Sequence, residues 1–136
     1  MKTLTLREPW ASLVAFGPKR VETRSWRTAY RGPLYIHGGA ANISRRDSHI
    51  EELLALLPQR EMAYGLVVCR CILADCLPMD EAFFASFPLS PVERLCGEYA
   101  PGRFAWVLDQ VEPLAKPFPA KGRLGLWELP EDAGSV

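Results

Sequence analysis

Lys19, Glu22 and Arg24 have the residue types and the spacing to build a charged site. They fall in the stretch Gly17-Pro18-Lys19-Arg20-Val21-Glu22-Thr23-Arg24-Ser25-Trp26, whose Gly-Pro turn projects Lys19 from the end of a strand. On an extended chain Glu22 and Arg24 share a face, with Trp26 next along it. A carboxylate beside a lysine or arginine orients the cation and offsets the cost of partly burying it. Next to a tryptophan, such a cluster can stack a nucleobase, pair with its polar edge and hold a phosphate. The same charges can also serve as an ion-pair network tying strands together. Both uses fit these residues.

The net charge is zero but unevenly spread. Residues 1–46 hold nine Lys/Arg against Glu8 and Glu22, a net of +7, and residues 47–136 balance it with −7. A basic first third points to an anionic ligand, or to a solvated basic surface. Trp10 and Trp26 flank the charged cluster, whereas Trp106 and Trp127 alternate with apolar neighbours and read as core. Arg31 precedes Gly32-Pro33, where close backbone approach suits a phosphate or carboxylate, though Gly-Pro also makes a simple turn. Cys69 and Cys71 share a strand face as buried thiols, and no cysteine pair has zinc spacing, so no metal is expected. There is no P-loop, G-x-S-x-G, H-E-x-x-H or G-x-G-x-x-G, and no cofactor is implied. His37 at a glycine pair reads as structural.

These residues must be positioned by a small, turn-rich chain of 136 residues with 49% hydrophobic and 24% charged content. That composition excludes disorder, and no apolar run is long enough to span a membrane. Charge and proline come too early for a signal peptide, so the expected setting is cytoplasmic. A strand over residues 2–6 leads to a helix over 8–17, with Pro9 at its start and Gly17 at its stop. Trp10, Leu13 and Val14 lie on one face of that helix. Strands follow over 20–26 and 34–37. Ser44-Arg45-Arg46-Asp47 opens a helix in the manner of a capping box, with Ile50, Leu53, Leu54 and Leu57 as its stripe and Pro58 as its end. Residues 65–76 form the longest strand, 78–97 hold short helices, and 103–111 is a strand. A proline-punctuated loop through Pro113, Pro117 and Pro119 then reaches a closing strand over 124–129. The expectation is an α+β fold, a small partly closed mixed barrel with covering helices. It forms one domain over 1–130, with a polar tail over 131–136.

Read in order, Glu8-Pro9-Trp10-Ala11-Ser12-Leu13, the G-x-K-x-x-E-x-R run over residues 17–24 and Tyr30-Arg31-Gly32-Pro33-Leu34-Tyr35-Ile36-His37 resemble the ASCH family. Glu98-Tyr99-Ala100-Pro101-Gly102-Arg103-Phe104-Ala105-Trp106 and Lys121-Gly122-Arg123-Leu124-Gly125-Leu126-Trp127 extend the resemblance to residues 3–129. ASCH is the activating-signal-cointegrator homology domain, a relative of PUA domains. The resemblance implies a PUA-like β-barrel binding RNA or a nucleotide- or nucleoside-like ligand. The implied cleft is lined by Trp10, Lys19, Glu22, Arg24, Trp26 and Arg31, with Glu98, Tyr99 and Arg103 from a second loop. Some small members hydrolyse N4-acylated cytidine with a lysine, a threonine and a glutamate. Here the lysine is Lys19, but Glu22 takes the place of the threonine and Thr23 is one position along. A one-residue step on a strand turns a side chain to the other face. A binding module is therefore the first reading. A small amidohydrolase, with Lys19 as base or nucleophile and Glu22 as proton carrier, is the second. A protein-interaction domain is the third.

Overall fold

The computed structural model describes residues 1–44, 47–59 and 61–134. In chain order the elements are β1 (Lys2–Leu6), α1 (Trp10–Phe16), β2 (Val21–Arg24), β3 (Gly32–Gly38), α2 (Ser48–Leu54), β4 (Leu66–Pro78), α3 (Glu81–Ser86), α4 (Pro91–Leu95), β5 (Phe104–Pro119) and β6 (Leu126–Glu128). The strands form one six-stranded mixed sheet in the order β2-β5-β4-β3-β1-β6, curled into a half-barrel of PUA-like α+β type. β1 and β3 are parallel, and every other neighbouring pair is antiparallel. Three register shifts along β4–β5 supply the bending that long, coiled strands need.

The main core sits between the sheet and α1, where Ala11, Val14 and Ala15 meet Leu4, Leu34, Ile36 and the fully buried Trp106. Leu13 leaves that face for a second cluster with Ile50, Leu53, Leu54 and Cys96, and Trp10 touches both clusters. The helix is thus buried on two sides, not along the single stripe its spacing suggested. Gly17 ends it in the left-handed conformation at φ 103°, which a residue with a Cβ adopts only under strain. Pro9 is the N-cap, and Glu8 does the capping from one residue further out. Its buried carboxylate accepts from the Ser12 amide at 2.8 Å, the Ser12 hydroxyl at 2.6 Å and the Ala63 amide at 2.7 Å.

Several expected boundaries move. Asp47, not Ser44, caps α2, its side chain accepting from the His49 amide; Arg45 and Arg46 lie outside the described residues. α2 ends at Leu54, and Leu57 packs on the second cluster from beyond the helix. The largest correction concerns residues 112–119, which continue β5 to Pro119 instead of forming a loop. β2 covers only Phe104–Val107, so the rest of that edge has no strand beside it. Pro113, Pro117 and Pro119 share parity, and prolines are tolerated where the missing N–H faces an unpaired edge. Residues 131–134 form a turn, with Ala133 against the cluster of Val67, Trp127 and Leu129. Buried His37 bonds Thr5 Oγ1 through Nδ1 at 3.1 Å and the Ala120 carbonyl through Nε2 at 2.7 Å. Trp127 Nε1 donates to the same Thr5 hydroxyl at 3.0 Å, fastening the closing segment to β1 and β3.

Candidate functional site

β2 is short, yet it contributes both Glu22 and Arg24 to a cleft of about 540 Å³. That volume lies within the usual range for small-molecule sites, roughly 300–1,000 Å³. The cleft is lined by Thr5 and Leu6 of β1, by Arg7 just beyond it, by Trp10 of α1 and by His49 of α2. The segment from Lys19 to Trp26 contributes Lys19, Glu22, Thr23, Arg24, Ser25 and Trp26, and the far wall is Cys96, Gly97, Glu98 and Arg103.

Glu22 is the hub, 8% exposed. Its Oε1 lies 3.3 Å from Lys19 Nζ and its Oε2 lies 3.1 Å from Arg24 Nε. Lys19 is only 1% exposed and donates to the Cys96 carbonyl at 2.8 Å. Removing a lone charge from water costs several kcal/mol, on the order of what a well-placed carboxylate and carbonyl restore. Arg24 also donates to the Thr5 carbonyl at 3.1 Å, which ties β2 to β1, and its guanidinium lies 6.0 Å from the Trp26 ring. Trp26 is 36% exposed and meets buried Trp106 edge-on, with centroids 4.8 Å apart. One carboxylate therefore organises two cations beside an accessible indole.

The far wall is drawn in by Gly97. A Cβ there would sit 2.9 Å from Thr23 Cγ2 and 3.0 Å from Tyr99 Cε2. With no Cβ in the way, the Glu98 amide reaches the Thr23 hydroxyl at 3.0 Å, and the Cys96 carbonyl meets Lys19. Arg103 clasps the loop, donating to the Glu98 carbonyl at 3.0 Å and the Thr23 carbonyl at 3.2 Å, with the Glu98 carboxylate 3.5 Å away. Burial pushes the Cys96 thiol up to about 11, so it is a neutral wall atom at physiological pH.

Of the residues singled out from sequence, Trp10, Lys19, Glu22, Arg24, Trp26, Glu98 and Arg103 line this cleft, and Tyr99 and Arg31 do not. Tyr99 stacks on Phe83, with centroids 6.4 Å apart and planes 11° from parallel, and belongs to the Val21–Met79–Phe83 cluster. Its hydroxyl is buried with no hydrogen-bond partner among the described residues, and burial, with Glu93 second, raises its pKa. Arg31 is exposed on the outer surface, donating to the Thr28 and Tyr30 carbonyls and facing Asp75 at 3.4 Å. Arg7, His49 and Gly97 escaped the sequence reading. Arg7 lay within the basic first third, but nothing in the sequence brought His49 or Gly97 across to β2.

The comparisons agree with this architecture. Residues 4–118 match the ASCH domain model. The chain is 30% identical over 133 residues to human activating signal cointegrator 1, covering 93% of this chain and 22% of that protein. The mouse protein of the same name matches at 29% with the same coverage. The chain thus spans about a fifth of the length of these relatives. With the family model covering most of the half-barrel and every residue of the Lys19–Glu22–Arg24 cluster, this chain belongs to the ASCH domain family.

Proposed function

We propose that this ASCH domain binds RNA or a nucleotide-like ligand in the cleft between β2 and the Cys96–Arg103 loop. The observation that carries the reading is the Glu22 carboxylate shared by Lys19 and Arg24, beside the accessible face of Trp26. A base stacks on the indole, its polar edge meets the Arg24 guanidinium, and the basic lining attracts the phosphates. The cleft's floor is fixed before any ligand arrives, because both Glu22 oxygens and the Lys19 ammonium are already held. Binding then spends little on ordering these side chains.

Fluorescence anisotropy with mixed-sequence single-stranded RNA, at several salt concentrations, tests this. Affinity that falls steeply with salt, and weakens on Arg24→Ala, is the expected result, because phosphate contacts release counterions. A flat salt response would move the reading to neutral base recognition. No binding of RNA, nucleotides or nucleosides at low salt would overturn it.

A further inference from the structure

The charges in the cleft do not balance. Its lining holds four fixed cations, Arg7, Lys19, Arg24 and Arg103, against the two carboxylates Glu22 and Glu98. Glu98 faces Arg103, and Glu22 divides itself between Lys19 and Arg24. Arg7 is exposed and, among the described residues, its guanidinium has no hydrogen bond or ion pair. His49, on α2, also lines the cleft, and its ring has no partner among the described residues. Part of the lining is therefore taken up by internal ion pairs, and part presents donors with nothing to bind. That surplus amounts to a net charge of +2 with His49 neutral.

We infer that the cleft takes a nucleotide carrying a terminal phosphate monoester, with Arg7 and His49 holding the phosphate. This rests on the reading above that the cleft binds a nucleobase-containing ligand. A phosphate monoester carries about −1.5 to −2 at neutral pH, which matches the surplus; an internal phosphodiester, with a single charge, does not. Guanidinium pairs with phosphate oxygens in a bidentate fork, and Arg7, free of any carboxylate, has that fork available. A neutral nucleoside would leave the surplus unmatched. The monoester belongs either to a free mononucleotide or to the terminal residue of an RNA strand.

Titration calorimetry on the intact chain separates these cases. The ligands are cytidine and uridine, their 5′- and 3′-monophosphates, inorganic phosphate, and one short oligoribonucleotide with and without a terminal phosphate. The monoester is expected to tighten binding by roughly tenfold or more, about one charge-assisted hydrogen bond. Arg7→Ala should remove that increment while leaving nucleoside affinity in place, and Arg7→Lys should restore part of it. A stronger increment on the mononucleotide identifies the free nucleotide as source, and one on the oligonucleotide identifies the RNA end. Equal affinity with and without the monoester, or equal losses for both on Arg7→Ala, would overturn the inference while leaving the cleft a base-binding site. Failure of every ligand to bind would overturn both.

Discussion

Lys19 reaches across 77 positions of sequence to place its ammonium 2.8 Å from the Cys96 carbonyl oxygen. That contact joins the two walls of the cleft. It also explains why a nearly fully buried lysine is tolerated, since Glu22 supplies the countercharge and Cys96 a second acceptor.

The shared carboxylate makes the cluster asymmetric to mutation. Glu22→Ala strands a buried lysine and a partly buried arginine, and should cost about 3–5 kcal/mol of stability. Lys19→Met leaves Glu22 paired with Arg24, so it should cost less, about 1–2 kcal/mol. Urea denaturation of both variants checks the order. Equal losses would show that Lys19 and Arg24 do not depend on one carboxylate.

Gly97 controls how closely the loop approaches β2. Gly97→Ala should destabilise by about 1–3 kcal/mol, as overpacking against Thr23 and Tyr99 does. It should also weaken ligand binding by displacing the Cys96 carbonyl from Lys19. Thermal unfolding and anisotropy on the same variant test both halves. A wild-type melting temperature and affinity would mean the loop has room that the geometry denies.

Much of the half-barrel was legible because its signals are local. The apolar run of β4, the Trp10–Gly17 helix and the two-residue step from Glu22 to Arg24 depend on neighbours in sequence. The extension of β5 was not, because prolines at 113, 117 and 119 mean loop by local rules and acquire strand geometry only when one edge is left unpaired. Tyr99 and Arg31 failed for a related reason. Their residue types suit a site, but Tyr99 is drawn into the Phe83 cluster and Arg31 turns outward to Asp75. Arg7, His49 and Gly97 enter the cleft by tertiary packing alone.

Glu93 predicts a pH dependence. Its carboxylate accepts the Arg20 amide at 2.9 and 3.2 Å, yet burial outweighs that and raises its pKa above the ordinary 4.5. The native state then holds this proton more tightly than the unfolded chain does. Its contribution to stability is present below the ordinary carboxylate range and is lost as pH rises through the raised value. Relative to wild type, Glu93→Gln should therefore be better tolerated at pH 7 than at pH 4. A stability difference that is constant over this range, or that runs the other way, would contradict the assignment.

The binding reading predicts no acylcytidine hydrolysis. Lys19 already donates to Cys96 and faces Glu22, and the Thr23 hydroxyl accepts from the Glu98 amide. Incubation with N4-acetylcytidine, followed by chromatography for released cytidine, should show little or no turnover. Robust release abolished by Lys19→Ala would make this chain an enzyme instead.

The central claim is that ligand enters between β2 and the Cys96–Arg103 loop, and amide and indole NMR shifts read this residue by residue. Titration with a short single-stranded RNA should move Lys19, Arg24, Gly97, Glu98 and the Trp26 indole together, in proportion to occupancy. The amides of Tyr35 and Phe118, whose rings pack edge-on to each other outside the cleft lining, should move least. Shifts confined to surfaces away from β2, with the Trp26 indole unmoved at saturation, would contradict the account.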